Sequence, residues 1–206
     1  MQLTQKYNYS DLKRQDGAVR LYLTPDGESL PSVTTVLSKT KDKSGLDRWR
    51  KRVGEKTAEK IIADSARIGT ALHLYIEHYV NGDGYKDLTD VGKKAQTMAQ
   101  VIIDEGLKDV TEIWGSEVHL YYPGKYAGTT DMVGLYKGRP AIIDFKQTNK
   151  PKKREWVQDY LMQLSAYAHA HNHLFNTEID QGVILMCSRD LLFQRFELTG
   201  ENFTRA

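Results

Sequence analysis

Between Val110 and Gln147 the chain reads "VTEIWGSEVHLYY", "AGTTDMVGLY" and "RPAIIDFKQ", three runs rich in β-branched and aromatic residues, parted only by the turn-like clusters "PGK" and "KGR". Turns that short join strands, not helices, so the three runs are expected to pair as successive strands of one sheet. On either side the hydrophobic period becomes helical. From Leu46 to Tyr79 the residues Ile61, Ile62, Ile68, Leu72, Ile76 and Tyr79 recur at helical spacing until "NGDG" ends the run, and a second helical run covers Lys93 to Leu107. After the strands, "WVQDYLMQLSAYAHAHNHLF" is helical again, and "GVILMCS" and "LLFQRFEL" read as two more strands, the last alternating as an edge strand does. This order of elements predicts an α/β fold, a mixed central sheet flanked by helices.

At 206 residues the chain is expected to form one domain, 1–206, with a core spanning 31–198. Residues 1–30 are read as an N-terminal hairpin flap, because "VRLYLTPDGESLPSV" turns at Pro25-Asp26-Gly27 and Ser32 can cap the helix that follows Pro31.

One of the central strands carries charge where it should not. In "AIIDFK" alternate side chains share a face, so Asp144 and Lys146 point together while Phe145 enters the opposite layer. Charges on an otherwise apolar strand need partners. The preceding strand carries Asp131 in "GTTDMVG", and pairing through "YKGR" would let the two carboxylates meet. Convergent carboxylates repel unless a cation lies between them, and oxygen donors suit Mg²⁺ or Mn²⁺. A lysine there could position or deprotonate water, or stabilise charge on a phosphate.

Other candidates lie along the same cleft. Gly69, His73 and Glu77 follow one another at four-residue intervals on a helix face, so that Gly69 would admit a close backbone, His73 could ligate a metal, and Glu77 could touch a second metal or its water. Gln163 and Tyr167 lie one turn apart on the helix after the D-x-K strand, and between them and that strand stand Lys150, Lys152, Lys153 and Arg154, placed to hold a phosphate backbone. In "DRWRKR", Trp49 and Arg50 form an aromatic–cation pair suited to stacking on exposed bases. Glu117 and His119 alternate along "GSEVHLYY"; paired surface charges explain them as well as a cleft position does, and they are left outside the candidate set. His169, His171 and His173 are spaced by two, which does not bring them to one helix face as metal ligands.

Taken in order, G-x-x-x-H (Gly69, His73), Asp131, D-F-K (Asp144, Phe145, Lys146) and Q-x-x-x-Y (Gln163, Tyr167) resemble the RecB-like branch of the PD-(D/E)XK nuclease superfamily, over about residues 31 to 190. Within it, "PSVTTVL", "LDRWRKR" and "IDFKQTNKPKK" are most similar to the mitochondrial genome-maintenance exonuclease type. The resemblance implies a restriction-endonuclease-like core and a metal-dependent DNA exonuclease favouring single strands. His73, Asp131, Asp144 and the Phe145 carbonyl would bind Mg²⁺ or Mn²⁺, Lys146 would be catalytic with Asp131 and Asp144, Gln163 and Tyr167 would steady the phosphate or the attacking water, and Thr148 would reach the scissile region. A duplex exonuclease of the phage-recombination kind, or a non-catalytic nucleic-acid-binding module, remain as alternatives.

The rest of the composition sets bounds. Cys187 is the single cysteine, so no iron–sulfur cluster is expected, and it is read as a core residue. A net charge of +2 does not argue for nucleic acid without local clustering. No signal-like or membrane-spanning apolar run and no transit peptide is read, which points to the cytoplasm of a bacterial or phage-infected cell. "VGEKTAEK" lacks phosphate-loop spacing, so unwinding is expected to come from elsewhere.

Overall fold

The computed structural model describes residues 2–42 and 44–206. The three alternating runs between Val110 and Thr148 form strands β5 (Val110–Tyr122), β6 (Tyr126–Tyr136) and β7 (Arg139–Thr148), an antiparallel meander. Helix α5 (Gln158–Phe175) then carries the chain back, so that β8 (Gln181–Ser188) pairs parallel to β7, and β9 (Phe193–Thr199) closes that edge antiparallel to β8. A parallel neighbour requires such a crossover. At the other edge β1 (Gln2–Leu3) lies parallel to β5, giving the order β1-β5-β6-β7-β8-β9. The expected mixed sheet flanked by helices is what forms.

Side-chain alternation divides the core in two. Ile113, Met132, Ile143, Phe145 and Leu185 face Leu72, Ile76 and Ile102 of α3 (Glu55–Asn81) and α4 (Asp90–Glu105). Val133, Ile142, Ile184 and Met186 face Leu161, Leu164 and Ala168 of α5. Every residue of β8 is buried, Cys187 included, as expected of a central strand covered on both sides. Among the described residues no helix is long and apolar enough to cross a membrane.

The helical run read from Leu46 to Tyr79 is two helices. Gly54 adopts φ 84° and ψ 145°, a conformation open to glycine, and parts α2 (Ser44–Val53) from α3. At the far end Gly82, left-handed at φ 75°, closes α3 through its N–H to the His78 and Tyr79 carbonyls, as "NGDG" suggested. Helix α1 (Val33–Thr40) starts at Ser32, whose side chain accepts from Thr35 N–H.

Strands β2 (Lys13–Gln15), β3 (Leu21–Leu23) and β4 (Ser29–Pro31) form a separate antiparallel sheet that buries Leu12, Tyr22 and Leu30 against Ala127 of β6. Between β1 and β2, Tyr7 and Tyr9 pack with Trp114, His171 and Phe175. His171 is fully buried, and its bonds select one neutral tautomer. Thr177 Oγ1 donates to Asn172 Oδ1 (2.8 Å), so His171 Nδ1 donates to Thr177 (2.8 Å) and Nε2 accepts from the Tyr9 hydroxyl (3.1 Å). Burial, aided by Lys6, pushes its pKa down to about 4.

A depressed histidine pKa means that the unfolded chain binds the extra proton first. Stability is expected to fall by about 3 kcal/mol as pH drops from the ordinary histidine range toward about 4. Denaturant midpoints across that range should fall less steeply in His171→Gln than in the wild type. Parallel profiles would contradict the assignment.

Candidate active site

The site forms where β6 and β7 part. Their pairing runs from Tyr136↔Arg139 to Met132↔Ile143 and stops, leaving Asp131 and Asp144 at the fork. Asp131 supplies what the ladder no longer does, because its Oδ2 accepts the Phe145 N–H at 2.7 Å. In a strand the N–H and C=O of one residue point the same way, so the Phe145 carbonyl also faces the fork. There it meets His73 Nε2 at 2.9 Å, while His73 Nδ1 lies 3.4 Å from Asp131 Oδ1. His73 reaches the sheet from the middle of α3, whose neighbouring Leu72 and Ile76 are buried beneath it.

Asp144 and Lys146 form an ion pair at the same fork, with the Lys146 ammonium 5.3 Å from the centre of the Tyr160 ring on α5. Asp144 is 3% exposed, and the partner of its Oδ2 is the Lys146 ammonium. Glu117 adds a third acid. Among the described residues one set of three or more His, Cys, Asp or Glu donors converges to within 4.8 Å, and it is His73, Glu117 and Asp131.

The charges interact strongly. Burial lowers the His73 pKa, but the Asp131 carboxylate outweighs it and carries the ring up to about 9. Asp131 is held below the usual carboxylate range, since His73 and Lys146 more than offset its burial. Burial raises Asp144 to about 6 despite Lys146. Lys146 is buried too, yet Asp144 and Asp131 hold its pKa above the ordinary value. Glu117 rises to about 7, first through burial and then through Asp131.

The remaining candidates separate by position. Tyr167 is buried in the α5-side core with its hydroxyl against Gly128, where a Cβ would approach to 2.6 Å; Gln163 is half-buried beside it. Thr148 is buried and its hydroxyl donates to the Lys150 carbonyl at 2.8 Å, which ties down the start of the basic loop. In that loop Lys150, Lys153 and Arg154 are exposed and Lys152 is half-buried, with Arg154 also donating to the Glu197 carbonyl at 2.9 Å. Trp49 and Arg50 are half-buried on α2, Arg50 pairing with Glu55. The exposed aromatic among cations is Trp156, 57% accessible with Lys153 over its ring, a residue the motif reading passed over. Gly69 does not admit a close backbone, because an added Cβ would find only Gln147 Cγ at 4.0 Å. Instead it lines the cleft of about 360 Å³ shared by His73, Glu77, Glu117 and Arg14.

The donor set suits a hard divalent cation: carboxylate oxygens, a strand carbonyl and an imidazole, with three acids against one lysine. With the Asp131 carboxylate at one ring nitrogen and the Phe145 carbonyl at the other, the surroundings of His73 raise its pKa, the direction expected of a position that attracts positive charge.

No family model matches the chain. It is 27% identical over 189 residues to mitochondrial genome maintenance exonuclease 1 of Homo sapiens, covering 85% of this chain and 54% of that one. It is 25% identical over 179 residues to the same exonuclease of Xenopus tropicalis, covering 79% and 49%. The chain thus spans about half the length of the curated relatives it matches, and the resemblance to this exonuclease type read from the motifs is borne out. A crystal structure of a candidate exonuclease from Eubacterium rectale superposes with a TM-score of 0.49 at 12% identity, over 69% of this chain and 61% of that one.

Proposed function

We propose that the chain is a metal-dependent DNA exonuclease that hydrolyses phosphodiester bonds and favours single-stranded ends. The observation that carries this reading is the convergence of His73, Asp131 and the Phe145 carbonyl with the Asp144–Lys146 pair at one strand fork. The similarity to mitochondrial genome maintenance exonuclease 1 supports it.

His73, Asp131, Asp144 and the Phe145 carbonyl would hold Mg²⁺ or Mn²⁺. The ion would supply polarisation of the phosphate and activation of water. Lys146, kept protonated by its two aspartates, serves as a donor: it orients the attacking water and stabilises negative charge developing on the phosphate. Asp131 acts twice, as a charge at the fork and as the acceptor that fixes the Phe145 backbone. Gln163 offers an amide to the phosphate or the water, and Tyr167 orients Gln163 from the core behind it. The basic loop, with Trp156, and helix α2, with Trp49 and Arg50, hold the strand that enters the cleft.

With three or four phosphates neutralised by these cations, affinity for single-stranded DNA should fall roughly 20- to 50-fold over a fourfold rise in salt. Fluorescence anisotropy with catalysis blocked by EDTA reads that slope. A flat response would remove the basic loop from the interface.

The activity itself is tested by incubating the protein with end-labelled single-stranded and blunt duplex DNA, in Mg²⁺, Mn²⁺ and EDTA, and following product length. Metal-dependent shortening, faster on the single strand, is expected. Preference for duplex ends would assign the end-resecting activity instead, and binding without cleavage would leave a nucleic-acid-binding module.

A further inference from the structure

Glu117 sits on β5 between the pairs Ser116↔Met132 and Val118↔Thr130, at the one step the ladder skips there, with Asp131 at the matching position on β6. Like charges facing each other across antiparallel strands repel. Glu117 also adopts φ 52°, a left-handed conformation that costs a branched or long side chain energy inside a strand. Among the described residues Glu117 makes no ion pair and the Lys146 ammonium is engaged by Asp144, so the nearby His73 ring offsets the repulsion only in part.

The carboxylate is nevertheless aimed at the fork. It converges with His73 and Asp131 to within 4.8 Å and lines the same cleft as His73. Asp144, almost wholly buried and paired with Lys146, stands at the same fork. Once a cation has displaced the protons from the imidazole and the carboxyls, Glu117, Asp131 and Asp144 against Lys146 leave a net charge of −2, which one divalent cation neutralises.

We infer that Glu117 is a further oxygen donor to the divalent cation of this site, outside the G-x-x-x-H, D and D-x-K motifs. The assignment rests on the metallonuclease reading above. It makes the donor set span three strands and a helix, and it gives the repulsion between Glu117 and Asp131 a purpose, since the cation that relieves it is the one the site binds.

Mn²⁺ binding by isothermal titration calorimetry, without DNA, tests it on the wild type, Glu117→Gln and Glu77→Gln. Glu77 lines the same cleft but lies outside the converging donors, so it controls for general electrostatics. Glu117→Gln is expected to weaken Mn²⁺ at least about tenfold, and Glu77→Gln less than about threefold. Without metal, Glu117→Gln should melt at or above the wild-type temperature, because the repulsion with Asp131 is gone. Glu117→Gly, which accepts the positive φ, should weaken Mn²⁺ equally and serves if the glutamine variant fails to fold. Unchanged affinity in the Glu117 variants, or an equal loss in Glu77→Gln, would overturn the assignment while leaving the metal site standing. Absence of Mn²⁺ binding by the wild type would overturn the metallonuclease reading itself.

Discussion

Lys146→Ala is expected to lower turnover by at least about 10³-fold while changing DNA affinity little, since the ammonium acts on water and developing charge and not on the bulk of the bound strand. The structural cost should be smaller than the chemical one. Stripping the cation from a buried ion pair ordinarily costs about 3–5 kcal/mol. Burial, however, already pushes the Asp144 pKa up to about 6, so the carboxyl can take up a proton when its partner is removed. A carboxyl whose folded pKa is raised binds more protons folded than unfolded, so the variant should lose stability as pH rises from the ordinary carboxylate range toward neutrality. Single-turnover rates and melting temperatures measured together check both halves. Near-normal turnover in a folded variant would remove Lys146 from the mechanism.

Asp131→Asn should be as damaging by another route. Asparagine keeps an oxygen to accept the Phe145 N–H, so the fork should fold, but it removes the charge that raises His73 and draws a cation. Metal-stimulated cleavage is expected to fall by about 10³-fold or more, with Mn²⁺ affinity falling in parallel. Asp131→Ala should do the same and also destabilise by about 1–3 kcal/mol, because the Phe145 N–H loses its buried acceptor. If Asp131→Asn binds Mn²⁺ as the wild type does, Asp131 is a structural acceptor alone.

Much of this architecture is legible from periodicity. Short turns between alternating runs leave β5, β6 and β7 little choice but to pair as neighbours, and the helical run before "GVILMCS" supplies the crossover that makes β8 parallel. The break at Gly54 is not legible, because apolar spacing runs on across a position whose backbone alone turns the chain. Nor is β1, whose two residues carry no pattern of their own and join the sheet through β5.

The site shows the same division. Two-residue alternation puts Asp144 and Lys146 together without further information. Glu117 could not be told from a surface acid, since what matters is its register opposite Asp131, and alternation within one strand is silent about register between strands. The contacts of Thr148, the last residue of β7, and of Trp156 depend on the path of the segment between them: the first holds the Lys150 carbonyl, and the second turns out beside Lys153. Neither follows from residue type.

The metal dependence of both fold and chemistry is read in a Mg²⁺ titration of the wild-type protein, with melting temperature and shortening of end-labelled single-stranded DNA followed on the same samples. Both should rise over one range of Mg²⁺ concentration, and both responses should vanish in Asp131→Asn. Shortening that persists in EDTA, or a Mg²⁺ response that Asp131→Asn retains in full, would contradict the metal site proposed at this fork.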